Sequence, residues 1–173
     1  LPRRALRAVA DVYRGQWVVL TSFLFALVLS VVSVISTGPD NVGHLRPDWV
    51  LMVLIYWVMA LPQRVGIVAA WCLGIVVDVL SGSLIGQHAV AYILVSYAVA
   101  QGYQQLRMIS VWQQSVAVLV LVGASQLISI WIQSIAGMTS FSWWHMLPAV
   151  VSAFIWPWIF LVLRYLRRQF RVT

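Results

Sequence analysis

Long apolar blocks separated by short, arginine-bearing breaks constrain this chain more than any other feature. All 11 basic residues are arginines, and they fall at the edges of the blocks. Suppose the blocks cross a bilayer in turn from an N-terminus in the cytoplasm. Arg3, Arg4, Arg7, Arg14, Arg64, Arg107, Arg164, Arg167, Arg168 and Arg171 then share the cytoplasmic side, and Arg46 alone lies outside. Short loops biased in this way set the orientation of a multi-span protein. The sequence therefore predicts an all-α integral membrane protein, a six-helix transmembrane bundle with both termini cytoplasmic.

Composition agrees. Charged residues make up 9% of the chain, against roughly 25% in soluble domains, and mean hydropathy is +0.93. A length of 173 residues fits one domain. The net charge of +7 does not point to nucleic acid, because the arginines flank apolar spans and face the anionic inner leaflet. The one cysteine, Cys72, rules out an internal disulfide or a cysteine metal cluster and reads as a small buried hydrophobe. The start at Leu1 suggests an N-terminus that is missing or processed. The first span is long for a signal-peptide core and reads as a signal-anchor.

Residues 1–16 are a basic segment with Leu6, Val9 and Tyr13 at helical spacing, the pattern of an interfacial helix. The membrane domain is expected over 17–163, with spans at 17–36, 49–61, 65–80, 88–104, 111–136 and 145–163, followed by a basic cytoplasmic tail at 164–173. The turn Thr37-Gly38-Pro39-Asp40-Asn41 ends the first span. Span two is short: about 13 residues rise only ~20 Å, where roughly 20 residues cross a hydrocarbon core comfortably. Spans two and three either cross fully or form a re-entrant hairpin from the outer side. A hairpin would hold Arg64 at mid-membrane depth, an expensive place for a charge. Crossing makes Pro62-Gln63-Arg64 an ordinary cytoplasmic turn, and crossing is the expectation.

Gly66, Ala70, Gly74 and Asp78 stand at every fourth position of span three, a face smooth enough for another backbone to approach closely. Asp78 closes that face, as a paired or functional carboxylate or as a cap on the next loop through the N–H groups of Ser81 or Gly82. Arg46-Pro47-Asp48-Trp49 opens span two: Pro47 biases Arg46 toward an extended backbone, and Asp48 suits the N-cap. Arg46 opposes the orientation signal and calls for a partner in Asp48, Asp78 or another protein. His88, Tyr92 and Ser96 form a polar stripe on span four, and Gln126, Ser129 and Gln133 another on span five. These stripes either hydrogen-bond between helices or line a polar cavity open to the outside, among Asp78, His88, Tyr92, Gln126 and Gln133.

Catalysis has little to stand on. The chain has no Glu, and Asp11, Asp40, Asp48 and Asp78 are its carboxylates. Asp78, Ser81 and His88 share a loop but have neither a nucleophile elbow nor an evident oxyanion hole. Three scattered histidines make no metal site, and no phosphate loop follows a strand. The expectation is a non-enzyme without a cofactor.

Arg46-Pro47-Asp48, the short span after it, Gln63-Arg64, the small-residue face, Asp78, Gly82, Gly86, Gln87 and His88 occur in that order. In that combination the chain resembles the rod shape-determining protein MreD family, over nearly its whole length. The resemblance implies a multi-pass protein of the bacterial inner membrane, in the cell-elongation machinery. It implies an MreC-like single-span partner and, indirectly, MreB, RodA and a penicillin-binding transpeptidase, which together direct lateral peptidoglycan synthesis. It also implies a distant likeness in fold to the substrate-binding components of energy-coupling-factor transporters. Two functions follow: a scaffold that binds the MreC-like protein, with Arg46, Pro47, Asp48, Asp78, Gly82, Gly86, Gln87 and His88 as its important residues, or a small-molecule or lipid-binding membrane subunit. The tail residues Arg164, Arg167, Arg168 and Arg171 read as lipid anchors.

Overall fold

The computed structural model describes residues 3–36, 46–137 and 143–170, with positions 3–14 and 143 described by backbone alone. Within them lie six helices, α1 (Arg3–Ser36), α2 (Trp49–Ala60), α3 (Ile67–Ser81), α4 (Gln87–Met108), α5 (Val111–Ile135) and α6 (Leu147–Gln169), with a 3-10 turn at Trp143–Met146. The expected turn at Thr37–Asn41, and Arg171, lie outside the described residues.

The architecture is organised by α2. Its sequence, WVLMVLIYWVMA, has no polar face, and a helix that is apolar all round belongs in the interior. Val50 to Ala60 are all buried, against α1, α4, α5 and α6. Of the remaining helices, α3 packs on α4 and α1, and α5 packs on both α4 and α6. A short central rod is thus surrounded by longer helices. Three of these are long and apolar enough to cross a membrane: Gly15–Ile35 within α1, Val111–Ile135, and Trp144–Gln169.

Local signals account for several helix ends. Ser110 and Gln113 form a reciprocal capping box at the start of α5. Gly82 ends α3 in the left-handed conformation (φ 64°), and Gly86 opens α4 at φ 100°. A Cβ at either glycine would meet open space, so backbone conformation is what each position asks of glycine. No break marks the boundary expected near residue 16, where α1 runs on as one helix; no proline lies between Arg3 and Ser36 to stop it. Likewise α6 carries the tail residues Arg164, Arg167 and Arg168 in its last turns.

Candidate functional site

Asp78 ties the α3–α4 loop shut. Its Oδ1 accepts from Ser83 Oγ at 2.8 Å, the His88 backbone N–H at 3.0 Å and His88 Nδ1 at 2.7 Å. Its Oδ2 accepts from the Gly86 N–H at 2.8 Å. Gly86 and His88 supply the N–H groups at the head of α4, which no helical carbonyl can reach. Asp78 is therefore both paired, with His88, and a cap, but the N–H groups it caps belong to Gly86 and His88 at the head of α4, not to Ser81 or Gly82. Gly82 N–H bonds instead to the Asp78 backbone carbonyl.

The loop can close because α3 and α4 touch backbone to backbone. A Cβ on Gly74 would collide with Cα and N of Ala89 and lie 2.8 Å from the His88 carbonyl carbon. Ala70 is buried on the same face. Gly66 is a correction: it sits at the N-cap of α3, and a Cβ there meets nothing within 4 Å, so it takes no part in the close approach.

A second set of bonds continues from His88. Its ring meets Tyr92 edge to face at 6.0 Å, and the fully buried Tyr92 donates its hydroxyl to Asp48 Oδ1 at 2.8 Å. Asp48 Oδ1 also accepts the Leu51 N–H at 3.1 Å, the N-cap bond expected of it. The Asp48 N–H donates to Ser152 Oγ of α6 at 3.0 Å. Two residues earlier, Arg46 Nη2 reaches the Val34 carbonyl in the last turn of α1 at 3.3 Å, with Pro47 between, its carbonyl taking the Trp49 N–H at 3.0 Å. Arg46 to Asp48 and Asp78 to His88 thus converge at one end of the bundle, where polar bonds join α1, α2, α3, α4 and α6.

Tyr92 is the second correction. Of the two readings of its stripe, interhelical hydrogen bonding holds and the open cavity does not: its hydroxyl is spent on Asp48 and its side chain has no exposure. Gln126 and Gln133 are half-buried on α5, Gln133 with a partner of its own. Gln87 and Ser96 are buried, and among the described residues Gln87 Oε1 and Ser96 Oγ have no hydrogen-bond partner. Ser81 does not complete a triad, because its hydroxyl donates to the Val77 carbonyl at 2.6 Å. Ser83 comes nearer, but it and Asp78 meet the same His88 nitrogen, Nδ1. A proton relay needs the nucleophile and the carboxylate on opposite ring nitrogens. Among the described residues no group of three His, Cys, Asp or Glu could hold a metal ion.

The opposite end of α2 holds residues that sequence reading passed over. Arg107, taken only as an orientation marker, donates from Nε to the Met59 carbonyl at 2.8 Å and from Nη2 to the Ala60 carbonyl at 2.5 Å. These are carbonyls the helix end leaves unpaired, and a cation there also suits the negative end of the dipole. Tyr56 takes a side-chain hydrogen bond from Arg167, and Arg164 lies over the Phe160 ring at 5.9 Å. Gln114 bridges the Leu106 carbonyl at 2.9 Å and Trp156 Nε1 at 3.4 Å, while Trp57 Nε1 donates to Ser22 at 2.7 Å. Ser152 was also missed, although it is the one hydroxyl in the apolar run of α6.

An all-helical bundle with three membrane-length apolar helices and a buried polar network tying its helices is a membrane protein. The family model for the rod shape-determining protein MreD matches residues 13–166. The chain is also 33% identical, over 157 residues, to the rod shape-determining protein MreD of Haemophilus influenzae, covering 91% of this chain and 95% of that one. The chain belongs to the rod shape-determining protein MreD family, and with it to the proteins of rod-shape determination. No solved structure matches it.

Proposed function

We propose that this protein is a non-enzymatic scaffold of the bacterial inner membrane that binds an MreC-like single-span protein. Through that partner it positions lateral peptidoglycan synthesis, acting with MreB, RodA and a penicillin-binding transpeptidase. The observation that carries this reading is the closed network from Asp78 through His88 and Tyr92 to Asp48. These groups bond one another, whereas a ligand-binding subunit would keep them aimed at open space. The residues Arg46, Asp48, Gly82 and Gly86 then act by holding the outer end of the bundle in one shape for the partner.

The orientation proposed is six crossings with both termini in the cytoplasm. Full crossing by α2 is supported by its far end: Met59 and Ala60 are held by Arg107, and Tyr56 by Arg167. The short helix thus reaches the same arginine-rich end as α4 and α6. Its ~18 Å length is tolerable in a thicker bilayer because protein groups satisfy both ends. Among the described tail residues, Arg168 is then the one most available to lipid, since Arg164 and Arg167 also meet Phe160 and Tyr56.

The test is complementation. In a rod-shaped bacterium depleted of its own family member, this chain should restore rods, and Gly74→Leu should leave spheres. Spheres with a well-expressed, correctly inserted wild-type chain would count against the reading.

A further inference from the structure

We propose that the cleft between α1 and α3 holds one acyl chain of an anionic phospholipid, with the lipid phosphate bound by Arg64. The cleft has a volume of about 650 Å³ and opens beside the α2–α3 turn. Its walls are apolar, with Val19 and Phe23 on α1 and Ala69, Cys72 and Leu73 on α3, and no acidic side chain lines it. From Gly15 to Phe23 it follows α1 for ~12 Å.

Arg64 distinguishes this cleft from two others. The cleft among α1, α2 and α6 and the one between α4 and α5 have no charged side chain in their linings. Three other arginines at this end are engaged by the protein, Arg107 by two carbonyls, Arg164 by Phe160 and Arg167 by Tyr56, and Arg168, in the last turn of α6, is not part of the cleft lining. Arg64 is exposed, its backbone N–H bonds to Leu61 at 3.0 Å, and its guanidinium has no partner among the described residues. An apolar slot with a guanidinium at its mouth matches a ligand with an apolar chain and an anionic head. Guanidinium binds phosphate through paired N–H groups. A transmembrane helix of another protein would suit the walls but leave the guanidinium unanswered. The inference needs only membrane residence and stands apart from the scaffold reading.

The full chain, purified in mild detergent and stripped of lipid, is offered phosphatidylglycerol or phosphatidylethanolamine and read by native mass spectrometry. Cys72, the chain's one cysteine, is exposed on the cleft wall and not buried as its apolar surroundings in the sequence suggest, so its alkylation gives a second readout. The wild type should keep one phosphatidylglycerol per chain with about fivefold preference, the ratio that ~1 kcal/mol per arginine at a lipid surface gives. That lipid should also slow alkylation of Cys72. Arg64→Gln, on an exposed turn, should equalise the two lipids. Leu73→Trp should abolish retention while keeping Arg64. Equal retention by the wild type, or an undiminished preference in Arg64→Gln, overturns the proposal. So does protection of Cys72 in native membranes that appears only when a second protein is co-expressed, because the cleft would then be a helix-docking groove.

Discussion

The Tyr92 hydroxyl lies 2.8 Å from Asp48 Oδ1 and joins the second turn of α4 to the cap of α2. The two residues are 44 positions apart, and the bond is buried on the Tyr92 side. Tyr92→Phe keeps the ring and removes the donor. Interhelical hydrogen bonds in membranes average ~0.6 kcal/mol and reach ~1.7, and Asp48 Oδ1 keeps the Leu51 N–H when the hydroxyl is gone. Thermal unfolding in detergent should show a loss within that range with the fold intact. An unchanged midpoint would mean the bond carries no weight.

Asp78→Asn should cost more, about 2–3 kcal/mol, because charge-assisted hydrogen bonds are the stronger class. An amide has one acceptor oxygen. If it serves Ser83 and His88, its NH₂ group faces the Gly86 N–H, donor against donor. Limited proteolysis between residues 82 and 86 should accelerate in step with the loss of stability. His88→Ala should do less, since its backbone N–H to Asp78 persists.

Gly74 and Gly66 make a matched pair. Gly74→Leu must push α3 off α4, and overpacking of this kind costs about 1–3 kcal/mol or more. Gly66→Ala meets open space in an extended backbone and should lie within about 0.5 kcal/mol of the wild type. Equal behaviour of the two variants would contradict the close approach.

Arg107→Gln should free the Met59 and Ala60 carbonyls and cost about 2 kcal/mol. Arg107→Lys should recover only part of this, because one ammonium cannot reproduce the forked geometry. Hydrogen exchange at the α2–α3 turn reports the release directly. Full recovery by lysine would show that charge alone matters there.

What the sequence revealed follows the range of the interactions. Asp48 as an N-cap and the small-residue face at Gly74 were readable because both are periodic or local signals. Arg107 was read for its charge alone, since its carbonyl partners lie 47 and 48 positions away and backbone acceptors leave no mark in a sequence. Tyr92 on one stripe was joined with Gln126 and Gln133 on another as walls of a possible cavity, while Gln114, outside both stripes, bridges α5 to α6 through Trp156 at 3.4 Å. Helical spacing identifies a face without identifying what it faces. Asp78 shows the same limit: its capping role was among the expectations, but the N–H groups it caps were fixed by the left-handed turn at Gly86.

The most direct test of the scaffold reading is co-purification of the tagged full chain from its native membrane in mild detergent, with mass spectrometry of the bound proteins. Near-stoichiometric recovery of an MreC-like single-span protein is expected, lost in Gly74→Leu and retained in Gly66→Ala. Recovery of the chain without any single-span partner, but with a tightly held polar small molecule, would contradict that reading.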